Sequence, residues 1–153
     1  MSKNNPHLHN QQYIEQVLTC ATILRIAYLD KGNPAIVPVN FGYHQDNIFF
    51  HSSKTGSKLQ CFREHPLVSF QTECGVELIR APQPCKVTIH YKSVIGTGKI
   101  EFIEDEAQKR HALSVILKQH GILNENMPLS SIQNTTVLRL SIIECSYKQS
   151  PLN

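Results

Sequence analysis

The sequence has none of the features that mark membrane-spanning, secreted or nucleic-acid-binding proteins. No stretch reaches the ~18 continuous apolar residues that a membrane span needs, and residues 1–12 lack the apolar core of a signal peptide. No basic run stands out, and the formal net charge is only +3, so electrostatics do not favour nucleic acid. We expect a soluble, cytoplasmic protein that contacts neither nucleic acid nor a membrane.

The cysteines form no CxxC pair, and their number is odd. This pattern argues against a zinc ribbon and against a disulfide framework, so we expect most of them to be small buried hydrophobes. Cys74, beside Gly75 in a predicted loop, is the thiol expected to be exposed. We interpret His7 and His9 in the polar tail as incidental, and no metal site is expected. The five cysteines are Cys20, Cys61, Cys74, Cys85 and Cys145.

A chain of 153 residues is long enough for one domain with a hydrophobic core and too short for two comfortable ones. We expect a flexible arm over residues 1–10 and a single domain over residues 11–150. Apolar residues at helical spacing predict a short helix near residues 13–18.

Closely spaced β-rich segments dominate the first part of the domain. Residues 22–29, 35–43 and 48–51 predict three strands separated by turn clusters, an arrangement that favours a barrel or sandwich. Pro38 lies inside the second strand, and because proline cannot donate to a ladder, that strand must have a free edge or a bulge there.

The remaining elements are predicted from periodicity and punctuation. The clearest helix has acidic residues at its start, Lys118 near its end and Gly121 as its C-cap. In chain order we predict a short helix ended by Pro66, a strand over residues 67–72, a mobile loop over 73–84, a strand over 85–103 bent at Gly96 and Gly98, a helix over 105–119, a loop with Pro128 and a strand over 136–147.

The segment His51-Ser-Ser-Lys-Thr-Gly-Ser-Lys58 carries the first chemical signal. Here a strand ends in hydroxyls and a lysine, turns at Gly56 and enters a helix with Lys58 in its first turn. Free amide groups at a helix N-terminus, hydroxyls and ammonium groups together suit a phosphate. The alternative is a plain strand–turn–helix with solvated lysines. The glycine spacing is not that of a Walker A loop.

Two blocks of sequence resemble a known family. Residues 37–43 read V-P-V-N-F-G-Y and lead to F-F-H-S-S-K-T-G-S-K-L at 49–59; residues 91–98 read Y-K-S-V-I-G-T-G and lead to an acidic turn and a helix. In order and spacing over residues 13–147, the chain resembles the 5-nitroimidazole-resistance (Nim) branch of the pyridoxamine-phosphate-oxidase-like, FMN-binding split-barrel proteins.

The resemblance implies a mainly β (α+β) fold, a six-stranded antiparallel split barrel with a few flanking helices. It also implies a homodimer with FMN at the subunit interface. The strand that contains Val37, Pro38, Val39 and Asn40 would run beside the flavin ring. The phosphate would be held by Ser52, Ser53, Lys54 and Lys58, with His51 near the ribityl chain or ring edge and Ser93 and Val94 near the flavin.

Two positions depart from the family pattern. Ser57 stands where Arg or His is frequent, and Lys92 replaces an arginine, which removes bidentate geometry. Both changes imply a weaker hold on the cofactor. No side chain is an obvious nucleophile, and flavin reduction needs none. His51 is the one proton donor that the pattern suggests; the alternative is that it only satisfies a backbone carbonyl.

Three functions fit the resemblance, because a fold does not fix a function. The first is an FMN-dependent oxidoreductase that reduces small, nitroaromatic compounds. The second is a haem-binding split-barrel protein. The third is an FMN-binding carrier or sensor without turnover. Pyridoxamine-phosphate oxidation itself is disfavoured, because no copy of that enzyme's C-terminal substrate-binding segment is recognisable.

Overall fold

The computed structural model describes residues 6–123 and 126–150, with side chains from residue 11 onward. Within these ranges the chain forms six β-strands, four α-helices and one 3-10 turn. The strands are β1 (Ile23–Asp30), β2 (Asn33–His44), β3 (Asn47–Ser52), β4 (Leu67–Ile79), β5 (Thr88–Ile103) and β6 (Thr136–Ser150). The helices are α1 (Pro6–Cys20), α2 (Ser57–Glu64), α3 (Glu106–Gln119) and α4 (Leu129–Asn134), and the 3-10 turn is Pro84–Lys86.

The strands close into one antiparallel barrel in the order β1-β2-β3-β6-β5-β4. Neighbours in sequence pair through short turns at the start of the chain, and β6 returns to join β3 to β5. The predicted six-stranded antiparallel barrel with flanking helices is confirmed.

The barrel wall is open between the start of β2 and the end of β3. β2 pairs with β1 over residues 33–40 but with β3 only over residues 41–44. β3 stays paired with β6 as far as Ser52. We call this opening the β2–β3 split. Pro38 lies in the half of β2 that has one ladder partner, so the predicted free edge is confirmed.

Large apolar side chains fill the barrel. Phe41, Phe50, Phe62 and Phe70 are almost completely buried. Phe50 of β3 meets Phe62 of α2 edge to face, with ring centroids 6.3 Å apart, a preferred geometry for an aromatic pair. Burial of this apolar surface is the main force that holds the barrel and α2 together.

Helix α3 lies directly on β2. A Cβ atom added at Gly42 would fall 2.6 Å from the backbone of Val115, so only glycine permits this approach. Asp105 caps the helix by accepting a 2.9 Å hydrogen bond from the amide of Gln108. The helix predicted over residues 105–119 is therefore confirmed.

Gln119 joins the ends of α3 and α1. Its side-chain amide donates to the carbonyl oxygens of Leu18 and Ala21, at 2.7 and 2.9 Å. These carbonyls are C-terminal acceptors that a helix leaves unpaired. One glutamine thus joins the C-terminal end of α1 to that of α3.

Helix α1 begins earlier than predicted. A flexible arm was expected over residues 1–10, but α1 starts at Pro6, so residues 6–10 are helical. Proline suits the first helical turn because its missing N–H has no intrahelical partner there. Residues 1–5 and the side chains of His7 and His9 lie outside the described residues.

The prediction of a mobile loop over residues 73–84 is wrong for its first half. β4 continues to Ile79 because Gly75, at φ 63°, lies at a bulge where the pairing with β5 shifts between Cys74 and Glu77. A bulge lets a strand absorb an extra residue without ending. The start of the predicted strand over 85–103 is also wrong, since residues 84–86 form the 3-10 turn.

Part of the loop predicted around Pro128 is helical. Pro128 is the N-cap of α4, and its carbonyl accepts hydrogen bonds from the amides of Ser131 and Ile132 at 3.0 and 3.2 Å. Ile132 is buried, and tertiary burial of one apolar residue stabilises a helix too short to be predicted from periodicity.

The expectation of mostly buried cysteines is wrong. Cys61 is buried, Cys74 and Cys145 are half-buried, and Cys20 and Cys85 are exposed. Cys74 lies in β4 and not in a loop, and burial together with a hydrogen bond to Cys20 raises the pKa of its thiol to about 11.

Residues 6–123 and 126–150 contain neither a helix suited to cross a membrane nor a cluster suited to bind a metal ion. None of the helices has the length and apolar character needed to cross a membrane. Over the same residues, no group of three or more His, Cys, Asp or Glu side chains is placed to hold a metal ion.

Candidate functional site

The predicted phosphate segment, residues 51–58, connects β3 to α2 beside the β2–β3 split. Ser53 shapes this connection, because its hydroxyl donates a 3.0 Å hydrogen bond to the carbonyl of Thr55. Gly56 then turns the chain into α2 at φ 144° and ψ 142°, a conformation that side-chain-bearing residues rarely adopt. The segment is thus held in a defined shape by local contacts.

The N-terminus of α2 has no side-chain cap. Gly56 occupies the N-cap position and offers no acceptor, whereas helices normally satisfy their first amide groups with Ser, Thr, Asp or Asn. The amide of Leu59 donates to the carbonyl of Gly56 at 3.3 Å. Among the described residues, this leaves the amides of Ser57 and Lys58 as open donors at the positive end of the helix dipole. An anion is the natural partner for such a terminus.

Ser52 supplies a second unused donor at the same place. Its side chain is buried, with 7% exposure, and pairs across the ladder with Thr136. Among the residues that the structure describes, no group forms a hydrogen bond with its Oγ. A buried hydroxyl without a partner costs roughly 1–3 kcal/mol. A ligand that accepts a hydrogen bond from Ser52 would remove this cost. These donors fit a flavin phosphate.

The two lysines of the segment differ in their contacts. Lys54 Nζ donates to Oδ1 of Asn134 at 3.1 Å, which ties the segment to α4. Lys58 is half-buried in the first turn of α2, and no described residue forms an ion pair or hydrogen bond with its ammonium group. Lys58 is therefore the cation left available beside Ser52 and the uncapped amides.

The predicted ring-binding strand borders the same split. Val37 and Val39 pack toward the core, so only their backbone atoms face a ligand, whereas Pro38 and Asn40 are exposed. His51 is exposed at the end of β3, just past the last pair that joins β3 to β2. The structure thus brings both predicted segments to one opening.

Ser93 and Val94 lie elsewhere on the barrel. Both are buried in β5, where Ser93 pairs with Glu73 and Lys148. The other end of β5, at Ile103, pairs with Val137, which also pairs with His51. Ten residues separate Ser93 from Ile103, about 30 Å of strand. Within one chain, these two residues are not part of the split.

A polar cavity of about 310 Å³ lies behind the segment, at the end of the barrel. Lys54, Arg63 and Lys109 bring cationic groups to it from the segment, α2 and α3, and Glu104 brings one carboxylate. We call it the cationic cavity. Its full lining is Lys54, Leu59, Arg63, Phe102, Ile103, Glu104, Lys109, Gln133, Thr135, Thr136 and Val137.

The sequence interpretation missed this cavity. Neither Arg63 nor Lys109 was among the predicted site residues. Neither position has a local signal, because the two residues are 46 positions apart and meet only when the barrel closes.

A larger, mostly apolar groove of about 800 Å³ crosses the outside of the barrel. Leu67 and Ile143 in its wall are 67% and 62% exposed. Its polar members include Glu64 and His65, which follow one another at the end of α2. Contiguous exposed apolar surface of this kind marks an interaction or ligand site. We call it the apolar groove.

Comparison with solved structures gives the same fold. A candidate 5-nitroimidazole antibiotic resistance protein from Bacteroides thetaiotaomicron superposes with a TM-score of 0.81 at 29% identity, covering 92% of this chain and 84% of the other. An FAD-binding protein from Mesorhizobium loti gives 0.63 at 26% identity, covering 89% and 91%. A flavocytochrome from Azotobacter vinelandii gives 0.77 at 23% identity, covering 95% and 71%.

Sequence families agree with the structural comparison. Among curated proteins, no sequence matches the chain significantly. The family model described as pyridoxamine 5'-phosphate oxidase matches residues 10–149, which include every strand and both predicted blocks, apart from the final residue of β6. The predicted family is confirmed, and the chain belongs to the pyridoxamine 5'-phosphate oxidase family.

Proposed function

We propose that the chain is an FMN-binding flavoprotein that reduces small nitroaromatic compounds. The observation that carries the proposal is the buried Ser52 hydroxyl without a partner, beside the uncapped N-terminus of α2. A phosphate satisfies both, because it offers several acceptor oxygens and negative charge to donors that are already positioned.

Different residues around the split bind different parts of the cofactor. Ser52, the first amides of α2 and Lys58 hold the phosphate, with Ser53 and Lys54 shaping the segment around it. The free edge of β2 at residues 37–40 lies along the ring, and its unpaired backbone groups are available to the polar edge of the flavin.

FMN, when bound, supplies the electron-transfer chemistry, and the protein supplies binding and orientation. His51 is exposed beside the split and is the side chain that we assign as proton donor to the substrate. The similarity to the candidate Bacteroides 5-nitroimidazole resistance protein, at 29% identity, supports nitroaromatic substrates.

We further propose that two copies of the chain form the complete site. Ser93 and Val94 lie too far along β5 to meet the phosphate segment of their own chain, so they contribute to a flavin only across a subunit interface. The exposed apolar surface supports this arrangement. Leu67 and Ile143 in the apolar groove are exposed, and so are Ile36 and Ile95 outside it.

Sedimentation equilibrium tests the dimer. We expect the mass of two chains for the native protein, and dissociation when Leu67→Asp or Ile143→Asp places a charge in the apolar groove. Glu64→Gln, at the polar rim, serves as the control that keeps the dimer. A single-chain mass for the native protein, with and without FMN, contradicts the proposal.

Absorbance and turnover test the cofactor and the activity. We expect the purified protein to show the two visible flavin bands, to bind riboflavin far more weakly than FMN, and to consume a reduced nicotinamide with a nitroimidazole as acceptor. Tight FMN binding without turnover favours the carrier or sensor function. Equal affinity for riboflavin and FMN rules out the phosphate site.

Haem is the second candidate, and one observation favours it. The apolar groove contains His65 in its wall, and haem proteins combine an apolar pocket with an axial histidine. A Soret band that is lost in His65→Ala would establish this function in place of the first.

A further inference from the structure

The cationic cavity adjoins the phosphate segment, but most of its cations come from outside that segment. Lys54 is the only residue of the segment in its described lining, and Ser52 and Lys58 are not part of it. Its other cations come from helices on either side, Arg63 from the end of α2 and Lys109 from the first half of α3. Thr136 of the lining is the ladder partner of Ser52, so Arg63 and Lys109 extend the row of donors beyond the phosphate segment.

The positive charge of the cavity is not neutralised by its own contacts. Lys54 Nζ donates to the neutral amide oxygen of Asn134, and Lys109 Nζ donates to the carbonyl of Thr135 at 3.4 Å. The guanidinium of Arg63 lies 4.0 Å from the centroid of the Phe102 ring. Neutral partners orient a cation without cancelling its charge.

Glu104 is the one carboxylate of the lining. No ion pair joins it to any of the three cations within the described part of the chain. Three positive groups and one negative group therefore face a polar space of about 310 Å³, which lies at the small end of the range for ligand pockets, roughly 300–1,000 Å³. Low-dielectric walls such as Phe102 and Val137 strengthen the field inside.

We propose that the cationic cavity binds a second phosphate group. Arg63 offers a planar fork of donors that suits phosphate oxygens, and Lys54 and Lys109 offer ammonium groups from two other directions. Thr136 and Gln133 add a hydroxyl and an amide to the lining. We expect a phosphate monoester or pyrophosphate to bind in preference to a carboxylate. The cavity has more hydrogen-bond donors than the two oxygens of a carboxylate can accept.

Two sources supply such a phosphate. One is the adenylate phosphate of FAD, which continues from the position of the FMN phosphate and would reach the cavity past Lys54; this source rests on the proposed function. The other is a free phosphate compound, which requires no flavin. The cavity is the same in both cases.

Two titrations distinguish the sources. The first compares FMN and FAD by flavin fluorescence on the native protein and on Lys109→Gln and Arg63→Gln. The second measures the melting temperature of the flavin-free protein in sodium pyrophosphate and in sodium chloride of equal ionic strength. Arg110→Gln is the matched control, since it removes the same charge from the neighbouring residue of α3 outside the lining.

If FAD supplies the phosphate, Lys109→Gln weakens FAD by roughly tenfold or more and leaves FMN within about twofold, while Arg110→Gln changes neither. If a free phosphate compound binds, pyrophosphate raises the melting temperature of the native protein and of Arg110→Gln but not of the two cavity variants. The proposal is overturned if FAD responds like FMN in every variant and pyrophosphate acts no differently from chloride. Failure of FMN to bind refutes the proposed function and leaves the pyrophosphate measurement to decide on the cavity.

Discussion

Two helices of this protein begin in different ways, although both follow a strand at the same end of the barrel. α3 follows β5, and Asp105 caps it with a 2.9 Å hydrogen bond to the amide of Gln108. α2 follows β3 and begins at Gly56 with no side-chain cap. A side-chain cap is worth about 0.5–2 kcal/mol over alanine but only about a few tenths of a kcal/mol over glycine, so the fold loses little stability by leaving α2 without one.

The difference indicates that one terminus serves the fold and the other serves a ligand. At α3 the amides of Gln108 and Lys109 both donate to Asp105, to its side chain and its carbonyl. Around α2 the amide of Leu59 donates to the carbonyl of Gly56 at 3.3 Å, whereas the amides of Ser57 and Lys58, the Ser52 hydroxyl and the Lys58 ammonium group lack partners among the described residues. Natural proteins break local rules mainly at functional sites, and here three such breaks share one loop.

The largest expected effect on stability comes from Gly56→Ala. The φ of 144° is strained for any residue with a side chain, although a Cβ would meet no atom within 4 Å. We expect the free energy of unfolding to fall by about 1–3 kcal/mol, because the cost is conformational. Urea denaturation measures it. A loss no larger than that of the exposed-surface control Asn40→Ala would show that the turn is not strained.

Removal of the α3 cap has the next largest effect. Asp105→Ala is expected to lower the free energy of unfolding by about 1 kcal/mol and to leave FMN affinity unchanged, since Asp105 caps a different helix from the one beside Ser52. Chemical denaturation and flavin titration on the same preparation check both parts. A weakened flavin affinity would mean that α3 contributes to the site and that the two termini are not functionally distinct.

Ser52→Ala has the smallest effect on stability and the opposite sign. Because the hydroxyl is buried without a partner, its removal is expected to leave the unfolding free energy of the flavin-free protein unchanged or raise it by up to about 1 kcal/mol. The same substitution weakens FMN. Thermal unfolding with and without FMN separates these results. A destabilised flavin-free protein would indicate that Ser52 serves the fold.

The sequence predicted the elements whose signals are local. The β-rich run of β6, the acidic start of α3 and the Pro38 edge all depend on neighbouring residues, and each is present. The predicted end of β4 was too early, because glycines such as Gly75 are found both in turns and in bulges. Only the pairing with β5 shows that Gly75 lies in a bulge. α4 was missed because the burial of Ile132 is a tertiary effect.

In the candidate site, too, the sequence predicted what depends on neighbouring residues and missed what depends on tertiary contacts. Residues 51–58 are contiguous, so their hydroxyls, glycine and lysines could be interpreted together. Val37 and Val39 present their backbone to a ligand because their side chains pack toward the core of the barrel. The cationic cavity depends on Arg63 and Lys109, which barrel closure brings together. The distance of Ser93 from the segment depends on the β5–β6 register.

The most direct test of the central claim is a comparison of two ligands on two proteins. FMN and riboflavin are titrated by fluorescence against the native protein and against Lys58→Ala, with the exposed Lys86→Ala as the control for charge. A charge-assisted hydrogen bond is worth about 1.5–3 kcal/mol, so we expect Lys58→Ala to weaken FMN roughly ten- to a hundredfold. Riboflavin, which lacks the phosphate, should bind weakly and equally to all three proteins. Equal weakening of both ligands by Lys58→Ala, or equal affinity of the native protein for both, would contradict a phosphate site at the N-terminus of α2.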